Sequence, residues 1–322
     1  MHLIGIAKTA ASAPVLNAKR QVEYRELVTG QWINRVESSR FSFQWSINPY
    51  RGCEMACVYC YARYTHEFMQ LDGGRDFASR IFAKAWNARD FRAELQRIPR
   101  GEGIAIGTAT DPYQHAERRF GITRRMLEEF SRRSGLRLWI TTKSDLITRD
   151  LDVLEKVRWG NLLYVNFTVT TLDANLARRL EPGAPRPDLR LRALVQLVER
   201  GISCGVIASP VMPGINDAEE QLGEIAVAAK QAGASWFGGG GLFLKSPTRE
   251  SFQRFLQEEK PELVETYQRL LAVRDHLPVP LRQKIEQRFI RLRGQHGLSN
   301  RAKQGEPPGW RKGEQLKLAW NV

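Results

Sequence analysis

The chain has 322 residues, 42% hydrophobic and 26% charged, an ordinary globular balance with enough length for one large α/β domain or two smaller ones. No apolar run approaches the ~20 residues of a membrane span, and the apolar stretch that opens the chain is too short for a signal peptide, so the sequence predicts a cytoplasmic protein with no membrane partner. A net charge of +14 (49 Lys+Arg against 35 Asp+Glu) favours phosphate-rich partners, DNA or RNA among them, although a merely solvated basic surface has the same composition.

Residues 1–40 carry no strong period, and Ala-Ala-Ser-Ala-Pro at 10–14 predicts a mobile N-terminal extension. Residues 41–48 alternate apolar and polar, a strand stopped by Asn48-Pro49. Helical patterns are expected at 77–86 and 91–98, then a strand at 103–110, a helix at 123–134 and a strand at 136–143. The alternation continues with a helix at 150–157, a strand at 162–170, a helix at 187–200, a strand at 203–212, a helix at 218–232 and a strand at 235–244. About six strand–helix units demand a mainly parallel sheet with right-handed crossovers, curled or closed. From about residue 246 the pattern changes to amphipathic helices at 252–276 and 279–293. The expected organisation is an extension (1–40), an α/β domain (41–245), C-terminal helices (246–293) and a basic tail (294–322). From residue 282 onward 10 Lys/Arg face 3 Glu, which suits either a nucleic-acid arm or a soluble tail.

Three of the four cysteines, Cys53, Cys57 and Cys60, fall in one short stretch after the first strand of that domain. Such a loop wraps soft thiolates round one metal centre, and parallel α/β folds put their reactive groups at that end of a strand. Three cysteines are one short of a closed structural zinc site, which His66 would complete as Cys3His in a zinc module binding RNA. On an iron–sulfur cubane they would leave one iron open for chemistry. Four cysteines in a chain of this size do not make a secreted disulfide framework. Cys204 reads as a small core residue, and His66 and His115 as hydrogen-bonding loop residues.

The spacing C-x3-C-x-Y-C, with Tyr59 as the aromatic, resembles the signature of the radical S-adenosylmethionine (radical SAM) superfamily. The flanking Asn48-Pro-Tyr-Arg-Gly-Cys53 and Tyr59-Cys-Tyr-Ala-Arg63 resemble its branch related to spore photoproduct lyase. The resemblance implies a partial (β/α)6 barrel with a C-terminal helical extension, and a 4Fe-4S cluster on Cys53, Cys57 and Cys60 whose open iron chelates S-adenosylmethionine. One-electron reduction then yields methionine and a 5′-deoxyadenosyl radical that abstracts hydrogen from substrate. The substrate is expected to be a nucleic acid, in lesion repair or modification, or else a peptide or small molecule. A low-potential electron donor such as a flavodoxin or ferredoxin is implied as partner. Cofactor contacts are expected from Tyr59 at the adenine, from Thr108, Thr110 and Asp111 at the second strand's exit, from Lys143 at the methionine carboxylate with Ser144 beside it, and from Thr168. Asn166, Thr168 and Thr170 share one strand face and suggest a wet barrel interior. Gly238–Gly241 lacks the Lys-Ser/Thr of a phosphate loop and is expected to let backbone approach closely. The photoproduct lyases carry a cysteine just before the hydroxyl–Asp turn that returns hydrogen to the product radical. Thr108 stands there in this chain, and a threonine O–H is a poor hydrogen-atom donor.

Overall fold

The computed structural model describes residues 3–19, 22–38 and 41–302; the end of the basic tail, 303–322, lies outside the described residues. In chain order the strands are β1 (Val15–Lys19), β2 (Val22–Leu27), β3 (Ile33–Arg35), β4 (Trp45–Ile47), β5 (Tyr50–Arg51), β6 (Arg80–Lys84), β7 (Gly103–Ile106), β8 (Arg137–Thr142), β9 (Leu162–Thr168), β10 (Ser203–Ile207) and β11 (Trp236–Gly238). The α-helices are α1 (Gly5–Ala11), α2 (Ala88–Gln96), α3 (His115–Phe120), α4 (Ile122–Ser131), α5 (Leu151–Gly160), α6 (Ala174–Leu180), α7 (Pro187–Glu199), α8 (Glu219–Gln231), α9 (Thr248–Glu259), α10 (Val264–Leu270) and α11 (Val279–His296).

Strands β4, β7, β8, β9, β10 and β11 pair in parallel and in chain order, and β3 adds an antiparallel edge beside β4. Among the described residues the first and last strands do not pair, so the expected (β/α)6 barrel is partial and open. Its central strands are largely buried on both faces, as in β9, where Leu163, Tyr164, Val165, Phe167 and Thr168 are all buried. The helices follow their sequence signals: Asn87 caps α2 by accepting from Arg89 N and Asp90 N, and Asp173 caps α6 in the same way. One contiguous core joins sheet and helices, from Ile47 on β4 to Phe289 on α11.

Two expectations are overturned. Residues 77–86 are not a helix but a turn followed by β6, which pairs parallel with β2 and antiparallel with β5. Four successive buried residues, Ile81, Phe82, Ala83 and Lys84, suit a strand held on both sides, whereas a surface helix would show a polar face. The start of the chain, expected to be mobile, is ordered in its described residues. Helix α1 buries Ala7 and Ala10, and Ala10 with Ala13 joins Leu27, Met69 and Phe82 in a small second core. Strands β1, β2, β6 and β5 form a four-stranded sheet, so the extension shares a sheet with the segment that carries the cysteine loop. The C-terminal stretch 252–276 is divided at Lys260-Pro261 into α9 and α10.

Candidate cofactor site

The cysteine loop leaves β5 at Gly52, whose φ of +80° and approach to Arg80 O and Phe77 O leave no room for a side chain. Cys53 N donates to Phe77 O at 2.9 Å and Cys60 N to Cys57 O at 3.2 Å, closing a compact curl. Buried Arg63 braces the curl by donating to Cys57 O at 3.0 Å and Gly74 O at 2.9 Å. All three cysteines are free thiols and line one cavity of about 290 Å³.

The C-terminal ends of β7, β8, β9, β10 and β11 all reach that cavity. Thr108, Thr110 and Asp111 come from the exit of β7, Thr142 and Lys143 from β8, and Thr168 from β9. Ser209 and Pro210 follow β10, and Gly241 and Phe243 follow β11. Six of the seven residues expected at the cofactor, Tyr59, Thr108, Thr110, Asp111, Lys143 and Thr168, are therefore together. Ser144 is not: it is buried, its backbone N donates to Thr142 Oγ1 at 2.9 Å, and its own Oγ accepts from Leu146 N as a helix cap. Asn166 and Thr170, expected on one strand face with Thr168, bond to protein, Asn166 with Trp236 Nε1 at 2.9 Å and Thr170, beyond the end of β9, with Glu181 Oε1 at 3.1 Å.

Thr110 and Asp111 spend their polar atoms on the scaffold. The Thr110 hydroxyl donates to Gly52 O at 2.6 Å. Asp111 accepts from Thr142 Oγ1 and Lys143 N, each at 2.7 Å, while its own N donates to Cys53 Sγ at 3.4 Å. Thus one turn ties the exits of β7 and β8 to the first cysteine. Burial raises the Asp111 pKa against the pull of those donors.

Behind the cysteines lies a buried charged network that sequence reasoning missed. Tyr59 OH donates to Glu181 Oε1, and Glu181 is paired with Arg190 at 2.5 Å, both side chains being almost wholly buried. Arg190 also donates to Thr168 O at 3.0 Å and so fixes the end of β9. Burial alone would raise the Glu181 pKa, but the Arg190 and Lys143 cations outweigh it and hold the carboxyl below its ordinary value. Burial likewise disfavours the Lys143 cation, yet Cys57 in its thiolate form, with Glu181 and Asp111, outweighs it and raises its pKa. Its ammonium sits 5.8 Å over the Tyr59 ring. Burial pushes the Cys57 thiol up to about 12, with Lys143 pulling the other way. A thiol must lose its proton to ligate iron, so a nearby cation is of use there.

Glu54 and Gln114 were also missed. Glu54 accepts from Tyr24 OH at 2.6 Å and Ala116 N at 2.7 Å, and Gln114 bridges Glu54 N, Gly52 O and Thr110 Oγ1. The loop at 181–185 lies on this stretch: Gly183 N donates to Met55 O at 3.1 Å, and Gly183 O is 2.9 Å from His115 Nε2. Gly239 presses on Ala208 O and Phe289, the close backbone approach expected of the glycine run, while Gly241 lines the cavity. A buried cluster next to the cysteines was the signal available for all of these, but polar partners distant in sequence leave no period.

The donor set fits an iron–sulfur cluster better than zinc. Three soft thiols share one cavity wall, and a cubane takes each on a separate iron. Zinc would need His66 as fourth donor, and His66 is turned away into the packing, its Nε2 3.0 Å from Arg80 O. Cys204 lies at the opposite, N-terminal end of β10 and is fully buried, the core residue expected. Among the described residues no three His, Cys, Asp or Glu side chains converge as a single metal ion requires, and no helix is long and apolar enough to cross a membrane.

The Radical SAM superfamily model matches residues 47–226, more than half of the chain. An uncharacterized protein of Mycobacterium tuberculosis is 32% identical over 280 residues, covering 86% of this chain and 82% of the relative. One of Methanocaldococcus jannaschii is 28% identical over 249 residues, covering 77% and 88%. Among solved structures, spore photoproduct lyase complexed with dinucleoside spore photoproduct aligns with a TM-score of 0.66 at 18% identity, covering 85% of this chain and 79% of that one. A double mutant of that lyase with bound AdoMet and dinucleoside spore photoproduct aligns at 0.65 and 17%, covering 84% and 79%. At these identities the likeness is one of fold.

Proposed function

The chain belongs to the radical SAM superfamily, and on that premise we propose that it cleaves S-adenosylmethionine reductively to abstract hydrogen from a nucleic acid, in repair or modification. The observation that carries this reading is the convergence of three free cysteines, Lys143 and the strand-exit hydroxyls on one cavity. In this reading Cys53, Cys57 and Cys60 hold a 4Fe-4S cluster. With S-adenosylmethionine bound, that centre supplies the one-electron reduction that releases a 5′-deoxyadenosyl radical.

The protein's own part is to bind, orient and shield. Lys143 neutralises the methionine carboxylate, and the Glu181–Arg190 pair behind it keeps the wall rigid. Tyr59 and Thr168 border the adenosyl portion, while Thr110 and Asp111 act by holding the cysteine loop against β8. No cysteine outside the cluster loop reaches the cavity, since Cys204 is buried at the far end of β10. A substrate radical in this cavity therefore does not recover hydrogen from a spare thiol of this chain, which sets the proposed reaction apart from thiol-terminated photoproduct repair.

The net charge of +14 and the likeness to a spore photoproduct lyase complexed with dinucleoside spore photoproduct support the choice of nucleic acid. The test is anaerobic turnover of the reconstituted, reduced protein with S-adenosylmethionine, with and without DNA or RNA carrying deuterium on base and sugar. Deuterium appearing in 5′-deoxyadenosine is expected. Formation of 5′-deoxyadenosine with no transfer from, and no stimulation by, either polymer would overturn the substrate class.

A further inference from the structure

We propose that a single, unpaired polynucleotide strand reaches the cavity along the groove made by residues 269–280, stacking on the Phe243–His276 pair at the rim. This inference rests on the nucleic-acid reading above and adds the path and the strandedness.

Phe243 lines the cofactor cavity, and its ring is stacked on His276 at 4.4 Å between centroids with 29° between planes. The two are held in register by a backbone bridge between Phe243 and His276 and by Leu244 N donating to Asp275 O at 2.8 Å. His276 in turn lines a neighbouring open groove of about 340 Å³ with Arg269, Arg274 and Pro278. The stacked pair is thus a wall common to both spaces. Tyr61, 45% exposed, stands on the cavity side with its ring 6.5 Å from Phe243.

The charged side chains that line the groove have one sign. No acidic side chain lines the groove, Arg269 and Arg274 are exposed, and among the described residues neither forms an ion pair. The one carboxylate in that turn, Asp275, is taken by Arg249 at 3.1 Å. Across the rim Lys245 lies 4.8 Å over the Tyr64 ring. Flat rings inside and unpaired cations outside match a polymer of flat bases on a phosphate backbone. An acidic peptide would answer the cations and leave the stacked rings without a partner. A paired base within a duplex cannot enter a side cavity without leaving its stack, which favours an unpaired strand. The basic residues of α11 do not contribute equally, because Arg288 and Arg291 are engaged with Asp217 and Glu219.

The test is fluorescence anisotropy of labelled single-stranded DNA, single-stranded RNA and duplex DNA on the reconstituted protein, repeated for the double variant Arg269→Ala/Arg274→Ala and for His276→Ala. Single strands are expected to bind about tenfold or more tightly than duplex. The double variant should weaken them about tenfold and flatten the dependence of log K on log salt by about 1.4, two phosphate contacts at ~0.7 each. His276→Ala should weaken binding with the salt slope kept. Cleavage of S-adenosylmethionine without polymer should be unchanged in the double variant, showing an intact cluster site. Equal binding of duplex and single strand overturns the strandedness. Variants that bind as wild type, while polymer still stimulates cleavage, overturn the path and leave the proposed function standing. Polymers that neither bind nor stimulate overturn both.

Discussion

Lys143 is a lysine whose position at a strand exit is legible in the sequence, but whose charge is explained only by its surroundings. It lines the cavity with Cys57 and is backed by Glu181, and Cys57 once deprotonated, with that carboxylate, holds it as a cation in spite of burial. If it pairs with the methionine carboxylate, Lys143→Met removes a charge-assisted contact of about 1.5–3 kcal/mol. The dissociation constant for S-adenosylmethionine, measured by equilibrium dialysis, should rise at least about tenfold with iron content unchanged; an unaltered constant would remove Lys143 from the site. His66 gives a prediction of another kind. Burial lowers its pKa to about 4 in the folded chain, below the ordinary histidine value of 6.5. Between these values the unfolded chain binds the proton and the folded one does not, so stability is lost as pH falls from about 6.5 towards 4, by about 3 kcal/mol at full expression. Urea unfolding at pH 7 and 4.5 should show His66→Gln with the flatter dependence; equal slopes would contradict the assignment. The cysteines, Lys143 and Thr168 were legible because spacing and strand exits point to them. Glu54, Gln114, Glu181 and Arg190 were not, since each acts through partners such as Tyr59 that lie up to 122 positions away in the chain.

At the scale of elements, the parallel strands were legible from their alternation with helix patterns and from stop signals such as Asn48-Pro49 after the first of them. The strand at β6 was not, because a continuous apolar run shows no period that separates strand from helix, and its partner β2 lies in a segment with little pattern of its own. The cysteine loop is shaped by elements that meet it from three sides. Thr248, at the start of α9, donates to Cys60 O at 2.6 Å, Arg63 holds Cys57 O, and the 181–185 loop covers Glu54 and Met55. At that last contact a Cβ on Gly183 would lie 1.8 Å from Glu54 O, a backbone atom that cannot swing away. Gly183→Ala should therefore push the two loops apart, and the variant should retain much less iron after reconstitution and unfold at lower temperature. Gly294→Ala in α11, where nothing lies within 4 Å, is the control and should be neutral or stabilising by up to about 1 kcal/mol. Full iron retention by Gly183→Ala would show that the loop contact is not what shapes the cysteine curl.

Over the whole molecule, the two sheets divide the work. The open parallel sheet delivers its C-terminal ends to one cavity, while the smaller sheet, built from the start of the chain and β5–β6, carries the cysteine loop to meet them. The C-terminal helices close the far side, with Phe289 under the glycine run after β11 and Phe243 beside His276 at the rim. Composition foretold the basic surface but not that part of its charge is spent within the fold, as at Arg288 and Arg291. The central claim is that this cavity wall holds a cluster that cleaves S-adenosylmethionine. It is tested most directly by anaerobic reconstitution with iron and sulfide, dithionite reduction and chromatography for 5′-deoxyadenosine, with Cys57→Ala alongside. The account predicts a brown protein that forms 5′-deoxyadenosine and a colourless variant that forms none. A wild-type protein holding stoichiometric zinc and no cluster, or cleavage retained by Cys57→Ala, would contradict it.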